Sequence, residues 1–417
     1  MRIAVIGPAH PYKGGGARHT TELAHRLAAQ GHDVIIESWR AQYPSRLYPG
    51  QQTVDVPEGA PYPRTRRRLA WYRPDGWLAE GRRLRPADLV VFTLLTPLQV
   101  PPYLAIMVGL GRKPRTAVIC HNVLPHERRP GDIPLTRALL SRADTVITHS
   151  ASQAAQAREL VPGATVRTVA MPAHLPASLP QNQGTERAEV SVPAHTPVLA
   201  RGDETLIPPE PPALPPPPGG THPPGPPLGE THPPGPPLGE THPPGPPLRL
   251  LFFGIVRPYK GLDVLLRALA QAPAHVTLTV AGEFWGDITE MDNLIAELGL
   301  ADRVALRPGY VPADQIPALF GAADALVMPY REATASQNAL LAFAQGVPVI
   351  TTTAGALAEP VRDGVDGLTC APGDVEDLLR ALIQISDPEV VRRLRAGIPV
   401  VDQDRGWADY LRVLLAG

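Results

Sequence analysis

The sequence predicts an α/β chain built from two parallel-sheet domains in series. Three observations carry that prediction. Short, almost wholly apolar runs recur in both halves, each followed by a helical pattern, which is how parallel βαβ units read. The length, 417 residues, suits two domains of ordinary size. Proline is in excess at 53 residues, and about two-fifths of it falls between Pro180 and Leu248. That concentration places a seam between the halves.

The first half opens on a buried-strand run, Met1–Gly7, followed by Gly14, Gly15 and Gly16 and a helix with apolar positions Leu23, Leu27 and Ala28 that closes at Gly31. Further strands are predicted at Asp33–Glu37, Asp88–Phe92, Thr116–Cys120 and Asp144–Thr148. The second half repeats the pattern, with strands at Leu250–Gly254, Val276–Ala281, Val304–Arg307, Ala325–Met328 and Pro348–Thr352. It ends in an amphipathic helix over Trp407–Leu415. Between the halves a decapeptide, Thr-His-Pro-Pro-Gly-Pro-Pro-Leu-Gly-Glu, starts at Thr221, Thr231 and Thr241. It is too rich in proline for helix or sheet and too poor in apolar groups to offset chain entropy, so it reads as an extended spacer. Its glycines do not recur every third residue, which excludes collagen, and single histidines ten residues apart make weak metal ligands.

Composition excludes several classes of function. A net charge of −1 gives no global field for nucleic acid. No run approaches the ~18 apolar residues of a membrane span, and the first twenty residues do not read as a signal peptide. Cys120 and Cys370 lie far apart in apolar runs and read as small core residues of a reducing, cytoplasmic compartment.

Five segments are candidates for chemistry. The run Leu251–Gly261 passes from strand through a turn to a helix, with Arg257 and Lys260 three residues apart on the turn. Loops at the carboxyl ends of parallel strands bind ligands in open α/β sheets, and a guanidinium with an ammonium can clamp a diphosphate there. A solvated loop with two surface cations is the alternative. The Gly14–Gly16 loop lets backbone approach a ligand at a helix N-terminus, although it is not Gly-x-Gly-x-x-Gly. No acidic residue closes the second strand as a ribose ligand would, Glu37 coming nearest, and a tight turn without a ligand fits the loop as well. His121, Asn122, His126 and Glu127 form a dense polar loop after a buried strand, and His149 follows the next one. Satisfied loop residues are the alternative here. Finally, Pro329–Asn338 links a strand to a helix for which Ser336 is a suitable N-cap. The stretch Arg64–Arg85 is cationic and aromatic, with Trp71, Tyr72 and Trp77 among its arginines, and is a candidate for an anionic membrane surface or a phosphorylated acceptor.

The Leu251–Gly261 turn, the His-Asn-x-x-Pro-His-Glu segment from His121, and the succession Pro329–Asn338, Gly346-Val-Pro-Val-Ile and Asp363–Gly367 together resemble the family 4 (group 1) glycosyltransferases. The resemblance implies a GT-B fold, two Rossmann-like parallel-sheet domains facing across a cleft. It implies an N-terminal acceptor domain over residues 1–176, a proline-rich linker over 177–247, a donor domain over 248–400, and a C-terminal helix over 401–417 that crosses back to the first domain. The implied reaction moves a sugar from a nucleotide sugar to an acceptor hydroxyl, with retention and without metal or other cofactor. By resemblance His121, Arg257 and Lys260 are catalytic. Gly254, Arg257, Lys260, Glu332, Thr334 and Ser336 bind the donor. Gly15, Gly16, Asn122, His126 and Glu127 meet the acceptor or the phosphates.

The chain departs from the family pattern at one place. Two glutamates with seven residues between them are usual, and the matching slots hold Ala333 and Leu341. The segment is closer to a subgroup that binds through backbone amides and the serine, and even there Gln337 replaces a glycine. A catalytically weak nucleotide-sugar-binding protein is therefore a competing reading; a hydrolysing nucleotide-sugar epimerase is a lesser one, since such enzymes usually keep the donor-site acids that are absent here.

Overall fold

The computed structural model describes residues 1–44, 52–54, 57, 59–125, 129–175, 247–334 and 336–416. His126, Glu127 and the decapeptide repeats lie outside the described residues.

The first half folds as β1 (Arg2–Ile6), α1 (Gly15–Ala29), β2 (Asp33–Ala41), β3 (Thr65–Ala70), α2 (Pro74–Arg83) and β4 (Leu89–Leu94). It continues with α3 (Val100–Leu110), β5 (Arg115–Cys120), α4 (Asp132–Leu140), β6 (Thr145–Thr148), α5 (Ala151–Leu160) and β7 (Val166–Thr168). All seven strands are parallel, in the order β3-β2-β1-β4-β5-β6-β7. Burial explains the apolar runs: every residue of β4, and all of β5 after Arg115, is covered on both faces.

The second half folds as β8 (Leu248–Phe253), α6 (Leu262–Gln271), β9 (Val276–Gly282), α7 (Ile288–Glu297), β10 (Val304–Pro308) and α8 (Ile316–Gly321). Then come β11 (Ala325–Met328), α9 (Asn338–Ala344), β12 (Val349–Thr352), β13 (Gly367–Cys370), α10 (Val375–Ile385), α11 (Pro388–Gly397) and α12 (Gln403–Leu415). Its six strands are also all parallel, in the order β10-β9-β8-β11-β12-β13. The reversal of strand order beside β1 and again beside β8 is the switch point at which such sheets bind ligands.

Helix α12 belongs in sequence to the second half and in space to the first. Trp407, Tyr410, Leu411 and Leu414 are buried with Ile3, Val5, Leu23 and Ile147 in a core under the first sheet. No helix among the described residues is long and apolar enough to cross a membrane.

Four strands differ from the sequence reading. The basic run conceals β3, an edge strand whose Arg66, Arg67 and Arg68 are exposed, a placement that discourages pairing with other chains. β7 and β13 are three and four residues long, too short for a periodic signal. The second strand runs on to Ala41, so Glu37 sits in mid-strand and is fully buried rather than closing the strand. It cannot serve as a ribose ligand from there.

Burial, followed by the neighbouring Glu80 carboxylate, pushes the Glu37 carboxyl up to about 7, against the opposing pull of Arg68 and Arg66. The folded state therefore holds a proton that the unfolded chain releases near its ordinary value of 4.5. This stabilisation is complete below about 4.5 and is lost as pH rises through about 7. Glu37→Gln should therefore stabilise the protein at pH 8 by an amount on the order of 2–3 kcal/mol and change little near pH 4.5. Urea unfolding at the two pH values measures this, and an equal effect at both would contradict it.

Candidate functional site

The turn after β8 is held by steric and ionic constraints. Gly261 has φ 68°, and a Cβ there would stand 2.1 Å from the Pro329 carbonyl oxygen, so only glycine lets the turn sit against the end of β11. Arg331 closes the other side. Its guanidinium donates to both Asp263 carboxylate oxygens, at 2.8 and 2.6 Å, and to the Pro258 carbonyl oxygen at 2.8 Å. Burial would raise the Asp263 carboxyl, but Arg331 and Arg267 outweigh it and hold it below the usual range. The Arg331 role was not legible in the sequence, because its partner lies 68 residues away.

On this frame the two cations separate. The Arg257 guanidinium lies between aromatic faces, 5.6 Å from the Tyr259 ring centroid and 5.1 Å from that of Trp285. The Lys260 ammonium lies 5.0 Å from the Tyr330 ring centroid, close by Gly254. Gly254 has φ 103°, and a side chain there would meet Lys260 Nζ at 3.4 Å and Asn338 Nδ2 at 3.5 Å. Asn338 in turn donates to the Phe253 carbonyl oxygen at 3.0 Å, tying the start of α9 to the end of β8. No sequence signal distinguished Asn338, which contributes through an amide at a helix start.

A cavity of about 470 Å³ opens where loops of the two sheets meet. Gly15, Gly16, Lys13 and Asn122 line it from the first half, and Arg257, Tyr259 and Trp285 from the second. Lys13 forms an ion pair with Glu283, with side chains only 4% and 15% exposed, and its ammonium lies 4.9 Å from the Tyr310 ring centroid. Gly16 packs on Leu95, where a Cβ would come within 2.7 Å. A second cavity of about 300 Å³ shares Pro125 with the first and is lined by Arg331, Glu332, Ala333 and Thr334. Thr334 Oγ1 is hydrogen-bonded to Asn122 Oδ1, which joins the halves again.

One expectation is corrected here. The helix after β11 begins at Asn338 with Gln337 as its cap residue, so Ser336 precedes the cap; its hydroxyl accepts from the Asn338 amide at 3.3 Å. The Gln337 Oε1 is buried with no partner among the described residues. Leu341 is buried in the second sheet's core, which accounts for an apolar residue in a slot where the resemblance places a carboxylate.

His121 lines neither cavity. Its ring packs edge-on against His19 at 5.0 Å and lies 5.5 Å from His149, and its Nε2 is buried without a partner among the described residues. Gln153 fixes this corner, accepting from the His149 amide at 3.2 Å and donating to the His121 carbonyl oxygen at 3.0 Å. His19 bridges His174 Nε2 (3.2 Å) and the Tyr410 hydroxyl (3.0 Å). Burial pushes His149 down to about 4 and His174 to about 3. Burial and then the neighbouring imidazoles hold His19 and His121 well below their ordinary value. At neutral pH these rings are uncharged, so His121 can exchange a hydrogen bond with a hydroxyl but cannot lend positive charge to a phosphate. Four histidines from four separate segments make this cluster, which explains why only His121 and His149 stood out in sequence.

Residues 13–171 match the family model described as Glycosyltransferase Family 4, and residues 247–387 match that described as Glycosyl transferases group 1. Together they cover more than two thirds of the chain. The chain belongs to the family 4, group 1 glycosyltransferases. It is 33% identical over 182 residues to D-inositol 3-phosphate glycosyltransferase 1 of Catenulispora acidiphila, covering 40% of this chain and 43% of that one. It is 34% identical over 131 residues to the 2-deoxystreptamine glucosyltransferase of Streptomyces kanamyceticus, covering 31% and 33%. The matched stretch thus spans well under half the length of these curated relatives. Among solved structures, the Thermosynechococcus elongatus sucrose-phosphate synthase superposes with a TM-score of 0.66 at 18% identity, over 98% of this chain and 94% of that one. Anabaena HepE, in complex with UDP and glucose, gives 0.66 at 15% identity over 99% of each. These likenesses show the GT-B fold.

Within this glycosyltransferase fold the seat of Gly261 is the least tolerant point of the turn. Gly261→Ala should destabilise the protein by about 2–3 kcal/mol, through left-handed strain and displacement of the turn from Pro329. Denaturant unfolding measures it, and a loss below about 0.5 kcal/mol would mean that the turn is free to move.

Proposed function

We propose that this family member transfers a sugar from a nucleotide-sugar donor to an acceptor hydroxyl, with retention at the anomeric carbon and without a metal ion. The observation that carries the reading is the 470 Å³ cavity in which Arg257 meets the Gly15–Gly16 loop and Asn122. Its size lies within the ~300–1,000 Å³ of small-molecule sites. The second half holds the donor, with Arg257 and Lys260 on its diphosphate and Gly254 giving the phosphate room beside Lys260. Glu332, Thr334 and Ser336 lie along the next strand-to-helix connection, on the sugar. Gly15, Gly16 and Asn122 face the acceptor side, and the uncharged His121, packed on His19, positions Asn122 from behind the cavity. As the donor's glycosidic C–O bond breaks, negative charge grows on the leaving diphosphate, and fixed cations and amide dipoles stabilise it there.

The metal-free part of the reading rests on Arg257 and Lys260, two fixed cations that can balance the charge of a leaving diphosphate. A cytoplasmic setting fits the two buried, free thiols of Cys120 and Cys370.

Nucleoside diphosphate release from a panel of nucleotide sugars, with and without acceptors, tests the reading against the binding-protein and epimerase alternatives. Turnover should require an acceptor and survive exhaustive EDTA treatment. Lys260→Ala or Arg257→Ala should lower it by roughly 2–4 kcal/mol of transition-state stabilisation, about 30- to 1,000-fold. Unchanged turnover in a folded Lys260→Ala protein would remove the donor assignment. Loss on chelation, restored by one divalent ion, would overturn the metal-free mechanism.

A second contact belongs to the same reading. Trp71 and Tyr72 are exposed, edge to face at 5.6 Å, among the arginines of β3 and α2. Asp33, Glu37, Asp75 and Glu80 pair with several of those arginines, and Arg67 and Arg82 add further positive charge. We propose that this face rests on an anionic membrane surface. Co-sedimentation with phosphatidylglycerol vesicles, absent with phosphatidylcholine and weakened by Trp71→Ala, is the expected result; equal recovery with both lipids would end the proposal.

A further inference from the structure

A third cavity lies beside α1, outside the cleft. It measures about 250 Å³, and Tyr12 and Ala17 separate it from the cleft cavity by lining both. Its polar lining comes from His10, Arg18, Thr21, Glu22, His25 and His174. His174, 91% buried, and His10 both stand in its wall, and each carries a buried Nδ1 that has no partner among the described residues. Two unmet hydrogen-bonding atoms on residues of one pocket's wall favour a polar occupant there, since an apolar one leaves both without a partner.

The lining also selects the kind of occupant. Arg18 and Glu22 bring one charge of each sign, so the pocket offers no net charge for an anion. Glu22 is also paired with Arg26 at 2.6 Å. The relay from Tyr410 through His19 to His174 can run in either direction, leaving His174 Nδ1 as donor or acceptor. A hydroxyl satisfies both states, whereas an anion satisfies one. The Thr21 hydroxyl donates to the Ala17 carbonyl oxygen at 2.8 Å and keeps its lone pairs for a second hydroxyl. The volume falls just below the ~300 Å³ at which ordinary small-molecule sites begin, enough for a single ring and too small for a nucleotide.

We propose that this pocket binds a small, uncharged, polyhydroxylated ligand of single-sugar-ring size. Leu175, near the end of the first half's described chain, and Gln403, the first residue of α12, complete its wall, so an occupant touches both segments by which the chain leaves and re-enters the first half. The inference is independent of the transfer reaction.

Saturation-transfer NMR and calorimetry on the full chain, with D-glucose, myo-inositol and inorganic phosphate as probes, test it. At least one of the two polyols should bind in the millimolar range, with phosphate weaker than either. Thr21→Leu, which fills the pocket while favouring the helix, should weaken that binding by about tenfold or more, equivalent to ~1.4 kcal/mol. His25→Phe serves as a second filling variant should the first not fold. Lys260→Ala, in the cleft, should leave polyol binding unchanged. Absence of polyol binding, preference for phosphate, or binding that survives both filling variants but is lost in Lys260→Ala would each overturn the proposal.

Discussion

Parallel pairing governs everything else in this molecule. Because every strand in both sheets runs the same way, each sheet delivers its strand-to-helix loops along one edge. The Gly14–Gly16 loop, the loop after β5, the turn after β8 and the segment after β11 all lie on such edges. A residue is therefore available to the cleft by virtue of where its strand ends. The chemistry then depends on how firmly each loop is fixed. The turn after β8 is over-determined, by the missing Cβ at Gly261 and by the fork of Arg331 on Asp263.

Across the cleft the halves touch through polar groups. The Lys13–Glu283 pair is nearly dry, and removing one partner of such a pair typically costs about 3–5 kcal/mol, because the other charge is left buried. The Asn122–Thr334 contact is neutral. A pair of water-excluded charges fixes the register of two loops more firmly than it stabilises them, and the loop that holds Lys13 is the one that carries Gly15 and Gly16 to the cavity.

The sheets were legible because doubly buried strands leave apolar runs with nothing else to explain them; Ala325–Met328 was read to the residue. β3 was not, because an edge strand can carry three consecutive arginines, and composition then mimics a solvated charged face. Among site residues, Arg257, Gly15, Gly16 and Asn122 were findable from strand ends and glycines, and the structure brings these four to one cavity. Lys260 sits on the same turn but lies against Tyr330 and Gly254 instead. The cap at Gln337, the burial of Leu341 and the packing of His121 on His19 were not findable. The last two depend on tertiary neighbours far along the chain, and local spacing holds no record of them.

The position of α12 bears on how the protein is made. Trp407, Tyr410, Leu411 and Leu414 complete a core whose other members, from Ile3 to Ile147, are synthesised first. A ribosome releases chain at about 5–20 residues per second and domains commonly fold in order of synthesis. Here the earlier-made sheet waits, with part of one face uncovered, for a helix made after the second sheet. The second sheet, whose own core draws on residues 248–394, can close before its predecessor does. Nascent chains halted before Trp407 would carry a finished rear and an unfinished front, and that open face is the surface that chaperones would have to guard.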